Sequence, residues 1–452
     1  MKRTEFDRDW TKGNIFRNLL SLAWPMVLNE IFWVVGMFVD MVWVGRLGVA
    51  SIAGVGVAGM VVMVLMSARW GLNTGTRAII ARFIGAGDTK GANHVAQQAF
   101  VISASYAIVV GSIGVIFAVP ILSLFGLEAD VVREGAAYMR VQFAGSVLMA
   151  FWIMAESIMQ ASGDAVTPMK VTIVARFTHL VLDPFLIFGW WIFPRFGVIG
   201  AATAGVVGYS VGMALGLWVL FSGRSRIQLS MRNFRLDPSI IWRIVRIGIP
   251  ASLMSVQRSF GNLFLVQLTV PFGTLSVAAH TLYQRLEMVL RLPSMGLGMA
   301  AGVLVGQNLG ARQPQRAEKS GWLAIGLVQG LMIICSGVIL LWAERIVGLF
   351  STEPALVEVA SIFIRIAAAG YLVLGLNAVF QQSLAGAGDT VPVMIITLLM
   401  IWAVQLPLAF FLPKITNLGV LGIRWAIVAG LVVGAVNYIL YFWLGRWKRK
   451  KV

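Results

Sequence analysis

The chain reads as an all-α polytopic membrane protein, with twelve transmembrane helices in two six-helix lobes related by pseudo-two-fold symmetry. Three observations carry that reading. Of 452 residues, 59% are apolar and only 12% charged, with 48 Gly and 16 Trp, far from the balance of a water-soluble domain. Hydropathy over windows of about 19 residues picks out twelve apolar runs. The second half of the chain also aligns with the first at one constant offset.

The spans fall at roughly 17–44, 50–72, 96–119, 134–160, 169–190, 198–221, 243–270, 277–300, 321–343, 358–384, 392–412 and 420–444. Pro25 matches Pro250, Gly48 matches Gly273, Gly85 matches Gly310, and Gly163-Asp164 matches Gly388-Asp389, all at the same offset. Beyond these the offset shortens slightly, through small deletions, at Pro184/Pro407 and again at Gly197/Gly419. Six spans per copy is an even number, so both copies insert in the same sense, as in carriers whose halves are related by an axis along the membrane normal. The expected lobes are 1–221 and 240–452, joined by an Arg-rich linker at 222–239. Gly85-Ala-Gly-Asp88, Ser162-Gly-Asp164 and Ala387-Gly-Asp389 sit between apolar runs as turns. The first of these lacks the Lys-Ser/Thr of a phosphate-binding loop.

The net charge of +17 would suit a nucleic-acid binder, but the basic residues are confined to alternate loops. They comprise Lys2, Arg3, Arg8, Lys12 and Arg17, then Arg77, Arg82 and Lys90, the linker set from Arg224 to Arg246, Arg312, Arg316 and Lys319, and Arg446 to Lys451. That distribution follows the positive-inside rule, excludes nucleic acid as the partner, and predicts a protein of the cytoplasmic (inner) membrane with both termini cytoplasmic. The first sixteen residues lack a cleavable signal pattern, so the first span is expected to be retained. Cys335 is the sole cysteine, which excludes an intramolecular disulfide and paired-cysteine metal or redox motifs.

Function is expected where polarity is expensive. Asp40 stands in the apolar run Ile31–Val44, where an ionisable side chain costs about 2.5–3.5 kcal/mol or more. Asn29 lies on nearly the same helical face, Trp33 and Gly36 complete that face, and Gly36 leaves room beside the acid. Glu30 is rotated from that face by roughly 80°. In the fifth span Arg176, His179 and Asp183 share one face, just before Pro184. They form either an ion pair bridged by His179 or a site of protonation or ion binding. Glu156 shares a face with Gln160 and serves either reversible protonation or, alternatively, interfacial snorkelling or a helix–helix hydrogen bond. His94 is read as solvated.

The second copy has Leu265 and Leu406 where the first has Asp40 and Asp183. It carries Gln257, Arg258 and Asn262 in the seventh span, and His280, Gln284, Glu287 and Arg291 along one face of the eighth, with Glu287 and Arg291 paired. The ion site is therefore expected in the first lobe. Asn29, Trp33, Gly36, Arg176, Gln257, Gln284 and Glu287 are candidates for substrate contact. The Met residues and aromatics serve either an adaptable pocket or lipid-facing packing. An intramembrane enzyme using His179 and Asp183 would need a nucleophile or a metal triad, and the sequence displays neither. No cofactor is expected beyond a coupling ion.

Leu22–Gly48 with Pro25, Asp40 and Val44-Gly-Arg-Leu-Gly48, the turn Gly85-Ala-Gly-Asp88, Ser162-Gly-Asp-Ala-Val-Thr-Pro168, Leu182-Asp-Pro-Phe-Leu-Ile-Phe188 and Val305-Gly-Gln-Asn-Leu-Gly-Ala311 together resemble the multidrug and toxic compound extrusion (MATE) family over essentially the whole chain. The resemblance implies efflux of amphipathic, often cationic compounds, driven by H⁺ or Na⁺, by a chain expected to act as a monomer. Asp40 and Asp183 match the key acids of its DinF-like branch, whereas the NorM-type acid of the seventh span is replaced around Gln257-Arg258. His179, Glu156 and Gly36 stand where the family usually has Asn, Asn and Tyr. Loss of neutral oxygen donors weakens a Na⁺ cage, so H⁺ is expected at Asp40, Asp183, His179 and Glu156, with Na⁺ at Asp40/Asp183 the alternative. A flippase for lipid-linked sugars, on a related two-lobe plan, is the rival function.

Overall fold

The computed structural model describes residues 8–450 apart from Asn233, and leaves the side chains of Val49 and Ala68 undescribed; Lys2, Arg3 and Lys451 of the basic set lie outside the described residues. The first copy folds as α1 (Ile15–Gly45), α2 (Val49–Gly85), α3 (Thr89–Ile116), α4 (Ala118–Ser123), α5 (Ala129–Ala144), α6 (Ser146–Ser162), α7 (Val166–Phe188) and α8 (Val198–Phe221). The second gives α9 (Pro238–Thr269), α10 (Thr274–Gly310), α11 (Pro314–Gly348), α12 (Pro354–Gly386), α13 (Thr390–Leu398), α14 (Leu406–Ile415) and α15 (Val420–Leu444). Among the described residues eleven helical segments are long and apolar enough to cross a membrane, and the pair α5/α6, bent by 50°, supplies the twelfth. The eleventh span runs from α13 through π-helical turns at Leu399–Gln405 into α14. Pro407, lacking an N–H to donate, follows directly after.

The expected turns close by one repeated device. Gly163 adopts φ 96°, and the Asp164 N–H then reaches back to the Met159 carbonyl at 3.0 Å. Asp389, its repeat partner, does the same to Leu384 at 3.0 Å, and Asp88 and Gln313 bond Phe83 and Asn308 at 2.9 and 2.8 Å. These reach-back bonds satisfy carbonyls that a helix end leaves without partners. Asp88 also starts α3, accepting from the Gly91 N–H at 2.8 Å.

By packing, the molecule divides into two units. One holds Leu28–Ser252 with the described residues up to Trp10; the other holds Thr11–Val27 and the chain from Leu253 onward. The division thus falls inside α1 and α9, not at the 222–239 linker, because the first part of each helix packs with the opposite copy of the repeat. Glycine makes this possible at equivalent positions. A Cβ on Gly71 of α2 would lie 2.0 Å from the Gly248 carbonyl oxygen and 2.7 Å from the Ser252 nitrogen of α9. A Cβ on Gly296 of α10 would lie 2.7 Å from the Val27 nitrogen of α1. Gly71/Gly296 and Val27/Ser252 are both repeat pairs at the same offset as Pro25/Pro250. The two units therefore contain the same backbone-on-backbone crossing, of the kind small residues allow between membrane helices.

The linker is tied down within the first unit. Gln97 donates to the Ser230 carbonyl, Gln98 donates to the Arg235 carbonyl at 2.8 Å, and the Asp237 N–H donates back to Gln98 Oε1 at 3.1 Å. His94, expected to be solvated, instead meets the Asp237 carboxylate at 3.2 Å. That contact, with the Ile240 and Ser239 backbone N–H groups at the start of α9, holds the exposed Asp237 carboxyl below its ordinary range.

Replacing Gly296 or Gly71 by Val is expected to destabilise the protein by about 3 kcal/mol through overpacking against backbone, read as a lowered melting temperature in detergent. Gly326→Val, where a Cβ meets nothing within 4 Å, is expected to melt like the parent.

Candidate functional site

The first unit gathers its charge around α7. Three of the four expected coupling residues meet: His179 Nε2 lies 3.3 Å from Asp40 Oδ1 and 3.4 Å from Asp183 Oδ1. Asp183 is fully buried, and the Asp40 side chain is 32% exposed. Spacing on α7 places Arg176, His179 and Asp183 in line, and α1 brings Asp40 across. On α8, glycine makes room for the imidazole: a Cβ on Gly208 would lie 3.0 Å from the Cβ of His179. Helix α7 runs on through Pro184 to Phe188.

The chemistry of Arg176 determines the tautomer of His179. Arg176 Nη1 lies 3.4 Å from His179 Nδ1, and a guanidinium can only donate. Nδ1 therefore accepts, and Nε2 carries the hydrogen that faces both carboxyl groups. Arg176 makes no ion pair with Asp183, unlike the ion-pair expectation; His179 lies between them, 3.4 Å from each. The guanidinium carbon lies 3.8 Å from the ring centre of Trp33 and 5.6 Å from that of Trp152. Those two indoles stack at 4.8 Å. Gly36 differs from expectation: the space beside it is taken by Arg176, whose Cδ would lie 3.2 Å from a Cβ there.

Even with His179 in place, Asp40 Oδ1 and both carboxyl oxygens of Asp183 are buried without a hydrogen-bond partner. Buried acceptors left in that condition carry a desolvation cost of about 1–3 kcal/mol each, more if charged. A proton shared between the carboxyls, or a cation, would remove it. The ligand atoms of Asp40, His179 and Asp183 lie within 4.8 Å of one another, close enough to surround an ion. No such triad is visible in the sequence, because Asp40 and Asp183 belong to the first and fifth spans and are far apart along the chain. The donor set fits a metal ion poorly: an Nε2–H points its positive end at the place a cation would take, and the tautomer that frees Nε2 would set an N–H against Arg176.

Glu156, the fourth expected coupling residue, stands in a separate cluster. Its Oε1 accepts from Asn29 of α1 and, at 2.8 Å, from Gln160. This is the helix–helix hydrogen bond of the alternative reading. Glu30 and Arg77 complete that cluster electrostatically. Both went unrecognised in the sequence, Glu30 because it is rotated from the Asp40 face and Arg77 because it was assigned to a basic loop; it lies inside α2. Arg69, also on α2 and 3% exposed, was missed as well, although a charge inside a membrane-length run is a signal in itself.

Gln257, Gln284 and Glu287 belong to the second unit. Gln257 is buried, and Glu287 pairs with Arg291 at 3.4 Å, as the spacing on α10 predicts. Arg258 donates to Gln381 at 2.9 Å. Arg424 of α15, another residue the sequence reading passed over, donates to His280 Nδ1.

Comparison with known proteins finds similarity along nearly the whole chain. The MatE family model matches residues 25–185 and 250–411, one stretch in each copy of the repeat. A probable multidrug resistance protein NorM of Thermotoga maritima is 27% identical, over 97% of this chain and 94% of its own length. An FAD transporter of Shewanella oneidensis is 26% identical over 94% of each. A solved MOP superfamily transporter from Pyrococcus furiosus, described as having a binding pocket of reverse polarity, superposes with a TM-score of 0.90 at 25% identity, covering 99% of this chain and 98% of that one. A MATE structure in a bent conformation gives 0.89 at 25% identity, over 97% and 96%.

Trp33→Ala should cost about 2 kcal/mol, the value of a desolvated cation–π contact, with Trp33→Phe costing less. Denaturation in detergent measures both, and equal stability of all three proteins would show that the indole does not hold Arg176.

Proposed function

Since this chain belongs to the multidrug and toxic compound extrusion family and is a transporter rather than an enzyme, we propose that it exports amphipathic, often cationic compounds in exchange for protons carried by Asp40 and Asp183. The observation that carries the proton assignment is the set of three buried carboxyl oxygens without a hydrogen bond, two of them 3.3–3.4 Å from the one imidazole nitrogen. A proton placed on either acid turns it into a donor to the other, which two carboxylates in one buried site favour. Na⁺ would have to displace the Nε2–H of His179 from the same oxygens. In this reading His179 is a fixed donor that orients the pair. Glu156 is a second proton-accepting candidate, coupled to the first cluster through Arg176, which feels both acids.

Coupling requires that the protonated and unprotonated states differ in affinity for the exported compound. Neutralising the pair removes the negative charge that opposes Arg176, so the packing of α1 against α7 changes with proton load, and with it the face of α1 that carries Asn29 and Trp33. The confinement of basic residues to alternate loops supports a working position in the cytoplasmic membrane with both termini inside. One chain contains both halves, and a monomer is the proposed unit.

The Shewanella oneidensis relative supports a second substrate reading. FAD carries negative phosphates, and around Glu287 the second unit holds Arg258, Arg291 and Arg424. An anionic dinucleotide thus competes with the cationic class.

Asp40→Asn and Asp183→Asn are each expected to abolish drug resistance in an efflux-deficient host at unchanged expression. Normal resistance from either variant removes the carboxyl-pair mechanism. In proteoliposomes at fixed pH, ethidium and FAD transport decides the substrate class, and a requirement for Na⁺ replaces the proton with the metal ion.

A further inference from the structure

The arginine–histidine construction of the first unit recurs in the second with its acceptors missing. Arg424, 2% exposed, donates from Nη2 to His280 Nδ1. Its guanidinium carbon lies 4.8 Å from the ring centre of Tyr283 and 4.7 Å from that of Phe363, as that of Arg176 lies over Trp33 and Trp152. The motif is not inherited from the duplication: the repeat partners of Arg424 and His280 are Ala202 and Val55.

In the first unit the histidine Nε2–H meets two carboxyl groups. In the second it meets nothing. Because Nδ1 accepts from Arg424, Nε2 of His280 carries a hydrogen, and that atom is buried without a partner. Arg424 Nε and Nη1 and the Tyr371 hydroxyl are likewise buried without partners. Arg424, Tyr371 and Tyr283 line one small cavity, with walls otherwise of Ala367, Gly370 and aliphatic side chains and room for about one water-sized particle.

Of the orphaned groups that belong to the cavity's lining, Arg424 Nε and Nη1 can only donate, and the Tyr371 hydroxyl can. Nearby carboxylate is scarce. Glu287 acts on Arg424 and Tyr371 electrostatically, but it is shared with Arg291 at 3.4 Å and with the Tyr283 hydroxyl. Arg258 and Arg291 add further positive charge. A water molecule would accept two of the hydrogens while bringing two of its own that need acceptors, and it would leave the guanidinium charge uncompensated. A compact monovalent anion accepts from every side and cancels the charge.

We propose that the cavity lined by Arg424, Tyr371 and Tyr283 is a binding site for a chloride-sized monovalent anion, with His280 holding Arg424 in place from outside the cavity. This site is separate from the Asp40–Asp183 pair and does not depend on which ion drives transport.

The purified full-length protein in detergent tests this by its melting temperature in potassium chloride against potassium gluconate at one pH and ionic strength. Chloride is expected to raise it saturably, by about 2 °C or more, with bromide replacing chloride. Tyr371→Phe should raise the half-saturating chloride concentration about fivefold, as loss of one hydrogen bond implies, and Arg424→Gln should abolish the response. Crystals grown in bromide should show an anomalous peak beside Arg424 and Tyr371. Identical melting of the parent in the two salts overturns the proposal even if Arg424→Gln fails to fold. So does a chloride response unchanged by Tyr371→Phe in a protein whose bromide crystals show no peak beside Arg424.

Discussion

Two carboxyl groups of the first unit converge on a single imidazole nitrogen, and the side chains around that nitrogen hold it in place. Asp183 has no solvent to turn to, and the Nε2–H of His179 reaches both it and Asp40 at 3.3–3.4 Å. The histidine can serve this way only while Arg176 occupies its other nitrogen. Arg176 in turn stays in place because its guanidinium lies against Trp33, itself stacked on Trp152, and Gly36 leaves it space. Each contact is short-ranged, yet the chain of dependence runs from an indole to a shared proton. A change of charge on the carboxyls is thereby felt across α1 and α7.

Duplication supplied the frame and divergence supplied the chemistry. Equivalent crossings at Gly71 and Gly296, and equivalent reach-back turns at Asp164 and Asp389, show that backbone packing has been kept in both copies. Such positions tolerate little, since a single methyl group would collide with main-chain atoms that cannot move aside. Side chains facing the interior were freer to change. Leu265 and Leu406 stand where the first copy has its acids, and the second unit placed its charge elsewhere, on α10 and α15. Unpartnered carboxyl oxygens thus mark the site at Asp40 and Asp183 in one unit, and unpartnered donors mark the site at Arg424 and Tyr371 in the other.

The comparisons fit this division between frame and contents. Identity of 25–27% with full-length relatives accompanies TM-scores near 0.9, as expected when helix lengths and close crossings are shared while interior polar residues vary. Function within such a fold follows from the site.

Composition, window hydropathy and the constant repeat offset were sufficient for the membrane class, the spans and the turns, because apolar length and repeat spacing are properties of the chain itself. Asp40, Asp183 and His179 stood out for the same reason: a charge inside an apolar run is visible without knowing its neighbours. Helical spacing also paired Glu287 with Arg291. Contacts between segments distant in the chain were beyond such reasoning. That Glu156 answers Asn29 rather than Asp40, that Arg77 joins Glu30, that Arg176 fills the space beside Gly36, and that Arg424 finds His280 all depend on which helix faces are brought together. Periodicity identifies a face, but the side chain that meets it is chosen by packing across the bundle. The first parts of α1 and α9 make the point at larger scale. Sequence order assigns each to its own copy of the repeat, and the close crossings at Val27–Gly296 and Ser252–Gly71 assign each to the other, because only there can backbone approach backbone.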